Sequence, residues 1–164
     1  MPEIEVLLEH NKFEPKDLRK ILVVVGPGGY TGLRVGVMVA KILASSLAIP
    51  IAGITNPQLL AKRFQESKKT NKLFVQWPLN RGYFFVQKYE DALLGNREGE
   101  VLSANEVGKI EGDFIACSNA INRVDLKPLE ETLTEIDQEL VGDLGTVQPF
   151  YAVPPAISVK RRGS

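Results

Sequence analysis

The run Gly26-Pro27-Gly28-Gly29-Tyr30-Thr31-Gly32-Leu33-Arg34-Val35-Gly36 constrains this chain more than any other, because it sets a glycine-crowded turn between two apolar stretches. Before it, Ile21-Leu22-Val23-Val24-Val25 is short, mostly β-branched and apolar at every position. A half-exposed antiparallel strand alternates with polar residues, whereas an unbroken apolar run suits a strand covered on both faces in a parallel sheet. After the turn, residues 33–47 hold only two charges, Arg34 and Lys41, and the stretch ends before Ile49-Pro50. Strand, turn and helix make half of a βαβ unit, so the sequence predicts an α/β fold.

Such a turn invites a phosphate-binding reading, since backbone N–H groups at a helix N-terminus attract anions. The glycine spacing opposes it. A dinucleotide fingerprint needs G-x-G-x-x-G and an acidic residue after the next strand, and a P-loop needs a closing Gly-Lys-Ser/Thr. Gly26, Gly28, Gly29 and Gly32 do not meet the first pattern, and Arg34 and Val35 replace the Lys and hydroxyl residue of the second. The glycines are expected to permit positive φ and close backbone approach, and no cofactor is assigned.

Along the following helix, Gly32, Gly36, Ala40, Ala44 and Ala48 recur every four residues. Residues so spaced form a flat ridge against which another helix can pack closely. Arg34, Met38, Lys41 and Ser45 form the neighbouring stripe, with the two charges seven residues apart and nearly superposed. One reading packs the ridge inside its own domain. The other makes it a helix-to-helix contact with another chain, rimmed by Arg34 and Lys41.

Composition narrows the class. The 164 residues can hold one ordinary domain or two small lobes, and 44% hydrophobic content can build a core. Twenty basic residues balance twenty acidic ones, so no global field draws the chain onto nucleic acid. No run of apolar residues is long enough to span a bilayer, and Met1-Pro2-Glu3 does not open a signal peptide. The single cysteine, Cys117, has no internal disulfide partner, in keeping with a reducing cytoplasm, and reads as a buried small hydrophobe.

Residues 3–11 predict a short amphipathic helix with Ile4, Leu7 and Leu8 inward. Residues 51–54 predict a second strand, and Asn56-Pro57 the start of a helix with Asn56 as its cap. Polar residues 65–71 mark a lobe boundary. Beyond it, residues 73–77 and 83–89 read as a hairpin whose Gly82 takes the unusual φ. Aromatics in these runs, with Arg81 nearby, could form a single-strand nucleic-acid platform, but the runs lack basic interleaving and core packing is expected. Ser103-Ala104-Asn105-Glu106 is a capping box opening a short helix, and residues 113–116 predict a strand. Residues 126–141 predict an acidic helix with Leu129, Leu133, Ile136 and Leu140 inward. The Pro-rich, then basic, residues 154–164 read as a flexible tail.

No catalytic constellation is legible. His10 is the only histidine, so a multi-histidine metal site cannot be built. Ser45, Ser46 and Ser118 carry no local signature of an activated nucleophile. Glu130-Glu131 and the carboxylates of residues 135–139 read as one wet helix face.

The stretch V-G-P-G-G-Y-T-G-L-R-V-G, followed by Ala40-Lys41 and Ile49-Pro50-Ile51-Ala52-Gly53-Ile54-Thr55, resembles the G-P-G-S-[FY]-T-G-[LI]-R segment and next strand of the TsaB (YeaZ) family. Weaker similarity continues through Asn80-Arg81-Gly82-Tyr83, Val101-Leu102-Ser103 and residues 148–155, with Pro78, Tyr83 and Val153 at places where the family usually has Asp, Glu and a basic residue. The resemblance implies the actin-like fold shared with sugar kinases and heat-shock ATPases. This chain opens at what corresponds to the helix after that fold's first strand and hairpin, so an incomplete first lobe without its first phosphate loop is expected over residues 1–64. A second α/β lobe is expected over 65–153. The implied role is a non-catalytic, cytoplasmic subunit, dimeric in isolation. It would support a TsaD-like threonylcarbamoyltransferase, with a TsaE-like ATPase as a further partner, and meet tRNA only indirectly. The alternative is an enzyme of the actin-like superfamily, peptidase-like or a small-molecule kinase. The expected partner-binding residues are Gly32, Arg34, Gly36, Met38, Ala40, Lys41 and Ala44 of the long helix, with Leu7 of the first. Without its customary neighbour, the apolar strand 21–25 exposes a pairing edge that a second copy, a partner or another segment of the chain is expected to cover.

Overall fold

A computed structural model describes residues 2–65, 73–89, 98–111, 113–116, 126–139 and 142–153. It contains two sheets. The first is the predicted βαβ unit: β1 (Ile21–Gly26), α2 (Tyr30–Leu47) and β2 (Ile51–Thr55), preceded by α1 (Pro2–His10). β1 and β2 pair in parallel, Ile21 opposite Ile51 and Val24 opposite Ile54, with an irregularity between Val24 and Gly26. Residues alternate across the sheet. Ile21, Val23 and Val25 meet α2 and Ile51, while Leu22 meets Ile54, Leu59 and Ile136 on the other face. Both faces are packed, but less completely than the unbroken apolar run suggests: Val24, beside Leu22, remains 37% exposed.

α3 (Asn56–Gln65) follows β2 directly. Its cap differs from the expectation. Thr55 Oγ1 accepts from the Gln58 N–H at 3.2 Å while Gln58 Oε1 accepts from the Thr55 N–H at 2.9 Å, a capping box one residue earlier than Asn56. Asn56 instead donates through Nδ2 to the Pro27 carbonyl at 3.0 Å, tying the helix start to the glycine turn.

The second sheet contains β3 (Leu73–Pro78), β4 (Tyr83–Tyr89), β5 (Glu100–Ser103) and β6 (Asp113–Ala116) in the order β5-β4-β3-β6. β3, β4 and β5 are antiparallel neighbours, and β6 runs parallel to β3. Arg81 and Gly82 both adopt positive φ, 62° and 74°, so the hairpin needs two such residues and not Gly82 alone. The aromatics of this sheet divide: Phe85 and Tyr89 are buried, with Tyr89 packed beside Leu73, Val75 and the α3 residues Ala61 and Phe64, while Tyr83 is exposed. Desolvation pushes the Tyr89 phenol far above its ordinary value and keeps it neutral. The Ser103–Glu106 capping box forms as predicted, at 2.8 Å from the Ser103 N–H, and opens α4 (Ala104–Val107).

α5 (Leu129–Glu139) buries Thr132 and Ile136, while Leu129 and Leu133 are exposed. Of the expected inward residues, Ile136 is thus buried and Leu129 and Leu133 are not, while Leu126, ahead of the helix, joins the core with Phe64, Leu73 and Tyr89. Leu140, Cys117 and residues 154–164 lie outside the described residues, as do the boundary residues 66–71.

A segment the sequence did not predict completes the first unit. An Asx turn at Asp143, accepting from the N–H groups of Gly145 at 2.6 Å and Thr146 at 2.9 Å, aims Val147 into the core of α2, β1 and β2. The Phe150 N–H then donates to the Val25 carbonyl at 2.8 Å, and its ring meets Phe85 edge-on, centroids 5.4 Å apart. Part of the chain itself thus caps the C-terminal end of β1's outer edge. Among the described residues no strand other than β2 pairs with β1.

Candidate functional site

The glycine turn resolves into one glycine with a demanding geometry and others without. Gly26 holds φ at 138°, and a Cβ there would lie 2.3 Å from the Phe150 carbonyl oxygen. Its freedom serves the close passage of the 142–153 segment over the end of β1. Gly29, at the cap of α2, has nothing within 4 Å of where its Cβ would be.

The small-residue ridge of α2 splits in two. Ala40 and Ala44 are buried, 8% and 1% exposed, and pack with Val37, Val25, Ile51 and Val147. Both belong to the chain's own core. Their smallness lets the sheet and Val147 approach the helix. Gly32 and Gly36 are open, and a Cβ at either would meet no atom within 4 Å. Ala48 takes the left-handed conformation that ends the helix.

On the opposite face, Val35, Met38 and Ile42 are each more than half exposed. Their spacing of three and four residues lines them up along one side of the helix. α1 separately exposes Val6 and Leu7, 62% and 63%, with Phe13 just beyond it. Leu7 thus points to solvent, not inward as the sequence pattern suggested, while Ile4 and Leu8 are half-buried. Exposed apolar side chains aligned along one helix face, as in α2, mark interaction surfaces more often than single ones do.

The two cations of α2 have different surroundings. Lys41 is half-buried and acts on Asp143, whose carboxyl is held below its ordinary value first by the Thr146 and Gly145 N–H groups and to a lesser extent by Lys41. Arg34 donates from its guanidinium to the Tyr30 hydroxyl at 2.7 Å and lies over that ring, 5.3 Å from its centroid. Tyr30 in turn packs on Tyr151, centroids 5.0 Å apart at 33°. Tyr30, Val35, Ile42 and Tyr151 are absent from the residues that the sequence points to. An apolar stripe opposite Val37, Ala40 and Ala44 was the available signal for Val35 and Ile42; nothing local could have joined Tyr151 to Tyr30.

Among the described residues, no group of three or more His, Cys, Asp or Glu side chains is placed to hold a metal ion, and no helix is long and apolar enough to cross a membrane.

The two-sheet α/β architecture is shared with solved proteins. It superposes on the crystal structure of a Pseudomonas aeruginosa protein described as similar to peptidase YeaZ, with a TM-score of 0.63, 17% identity and coverage of 93% of this chain and 82% of that one. YeaZ from the same organism gives 0.61 at 18% identity, covering 91% and 82%. This defines the class: a mixed α/β protein with the YeaZ fold. In sequence, residues 1–75 match the family model for TsaD, tRNA N6-adenosine threonylcarbamoyltransferase. The tRNA threonylcarbamoyladenosine biosynthesis protein TsaB of Bacillus subtilis is 49% identical over 61 residues, 37% of this chain and 27% of that protein. TsaB of Buchnera aphidicola from Schizaphis graminum is 31% identical over 113 residues, 68% of this chain and 53% of its own length. In sequence the chain is thus similar to proteins of the TsaB (YeaZ) family, and it spans between about a quarter and half of the length of these curated relatives.

Proposed function

We propose that the chain acts as a non-catalytic TsaB-like subunit in threonylcarbamoyladenosine modification of tRNA adenosine-37, binding and supporting a TsaD-like threonylcarbamoyltransferase in the cytoplasm. The observation that carries this reading is the apolar outer face of α2, Val35, Met38 and Ile42, in a chain whose relatives are named for that pathway. The contact uses this face, Gly32, Gly36, Arg34, Lys41 and Leu7 of α1; in isolation a second copy occupies it, giving a homodimer. Residues 1–75 match the model of the TsaD family itself, so a TsaD-like partner carries a segment of the same descent, and a pseudo-twofold pairing of like helices follows naturally. A TsaE-like ATPase joins the assembly through the partner, and tRNA is met through it as well. The fold is read as actin-like, with a first lobe over residues 1–64 and a second lobe over residues 65–153.

Reconstitution tests the role. A TsaD-like protein of the same cell should form threonylcarbamoyladenosine on tRNA, given the threonylcarbamoyl donor, only when the chain is added. Equal rates with and without it would reject the subunit role. Steady ATP or peptide hydrolysis by the chain alone, lost on substitution of Gly28, would favour an enzyme instead.

A further inference from the structure

Arg34 is an exposed cation on the border of an apolar face, and exposed arginines ordinarily sample many rotamers. This one is held. Its guanidinium donates to the Tyr30 hydroxyl and stacks on that ring, one turn earlier in α2. Tyr30 is held in its turn by Tyr151, brought there from the far end of the chain by the segment anchored through Val147 and the Phe150–Val25 hydrogen bond. Among the described residues no carboxylate forms an ion pair with Arg34, whereas its neighbour Lys41 lies within the field of Asp143. A guanidinium held by a hydroxyl and a ring, with its other edge open, loses less side-chain entropy on binding than a free one. Its planar fork suits a carboxylate.

We propose that Tyr151, through Tyr30, is a positioning residue for Arg34, and that Arg34 receives an aspartate or glutamate side chain of the TsaD-like partner that covers Val35, Met38 and Ile42. The inference rests on the partner-binding reading above and adds to it the charge the partner must present. The apolar stripe supplies contact area; the stacked arginine selects among apolar helices by requiring an acidic residue at its border, a role of rim charges in fixing partner and register.

The test pairs a measurement on the free chain with one on the complex. At a dilution where the chain is shown to be monomeric, relaxation of the Arg34 Nε–H group in ¹⁵N NMR should report an ordered side chain. Tyr151→Ala should loosen it, and so should Tyr30→Phe, which removes only the hydroxyl and spares the fold. An Arg34 as mobile as other surface arginines in the wild type, or unchanged in both variants, would overturn the positioning role. In complex with the TsaD-like protein of the same cell, Arg34→Ala and Arg34→Lys should each weaken affinity about fivefold. Tyr151→Ala should cost about half that on a logarithmic scale in the wild type and nothing further on top of Arg34→Ala. Full affinity of Arg34→Ala, or additive losses in the double variant, would overturn the carboxylate contact. A wild-type chain that fails to bind this protein at all would reject the partner reading and the carboxylate contact with it, while the NMR result would still decide the positioning of Arg34.

Discussion

The two faces of α2 carry residues of opposite size, and the contrast inverts what their sequence spacing suggests. The inner face is built from Val37, Ala40 and Ala44, pressed against β1, β2 and Val147; the outer face presents Val35, Met38 and Ile42 to solvent. A row of small residues is commonly read as a docking strip. Here it is what lets the chain's own sheet and the 142–153 segment close on the helix, and the larger side chains are left exposed. Small size marks closeness of approach without saying which molecule approaches.

This contrast makes quantitative predictions. Ala44→Leu adds volume where no space exists and should lower the stability of the chain itself by about 1–3 kcal/mol in urea denaturation. Were Ala44 an interface residue, the monomer would be unharmed and only association would suffer. Gly36→Ala, in a helix interior with open space around it, should raise stability by about 0.5–1 kcal/mol. A loss of stability at this position would show that the outer face is packed more tightly than the open space at Gly36 implies. The smallest effect concerns the Asx turn that launches Val147 toward the inner face. Because hydrogen bonds lower the Asp143 carboxyl from its ordinary 3.8, its contribution is complete above that pH and fades as pH falls through the lower folded value. The Thr146 amide resonance should therefore titrate with a midpoint below 3.8; a midpoint at or above it would contradict the turn.

Much of the first unit was legible because its signals are local: the apolar run of residues 21–25, the glycine turn and the uncharged stretch after it determine strand, turn and helix together. The hairpin of residues 73–89 and the Ser103–Glu106 box were readable for the same reason. Orientation was harder. Leu7, Leu129 and Leu133 fit an inward stripe by spacing, yet each is exposed, since the side a helix buries depends on neighbours distant in sequence. The stack of Tyr151 on Tyr30 and the Phe150–Val25 hydrogen bond join residues more than a hundred positions apart, a placement that spacing along the chain does not encode. The expected edge of β1 illustrates both limits. Local pattern points to its exposure, and its C-terminal end is met by a segment that pattern does not reveal.

The central claim is that the outer face of α2 binds a TsaD-like partner, and Met38→Asp tests it most directly. At dilutions where the chain is monomeric the exposed site tolerates the charge, so the thermal midpoint there should change little, whereas desolvating a carboxylate at the centre of an apolar contact is costly. Sedimentation velocity of the chain mixed with the TsaD-like protein of the same cell should show a complex for the wild type and at least about tenfold weaker association for Met38→Asp. Undiminished association of a folded Met38→Asp chain would place the partner on another surface and contradict the account.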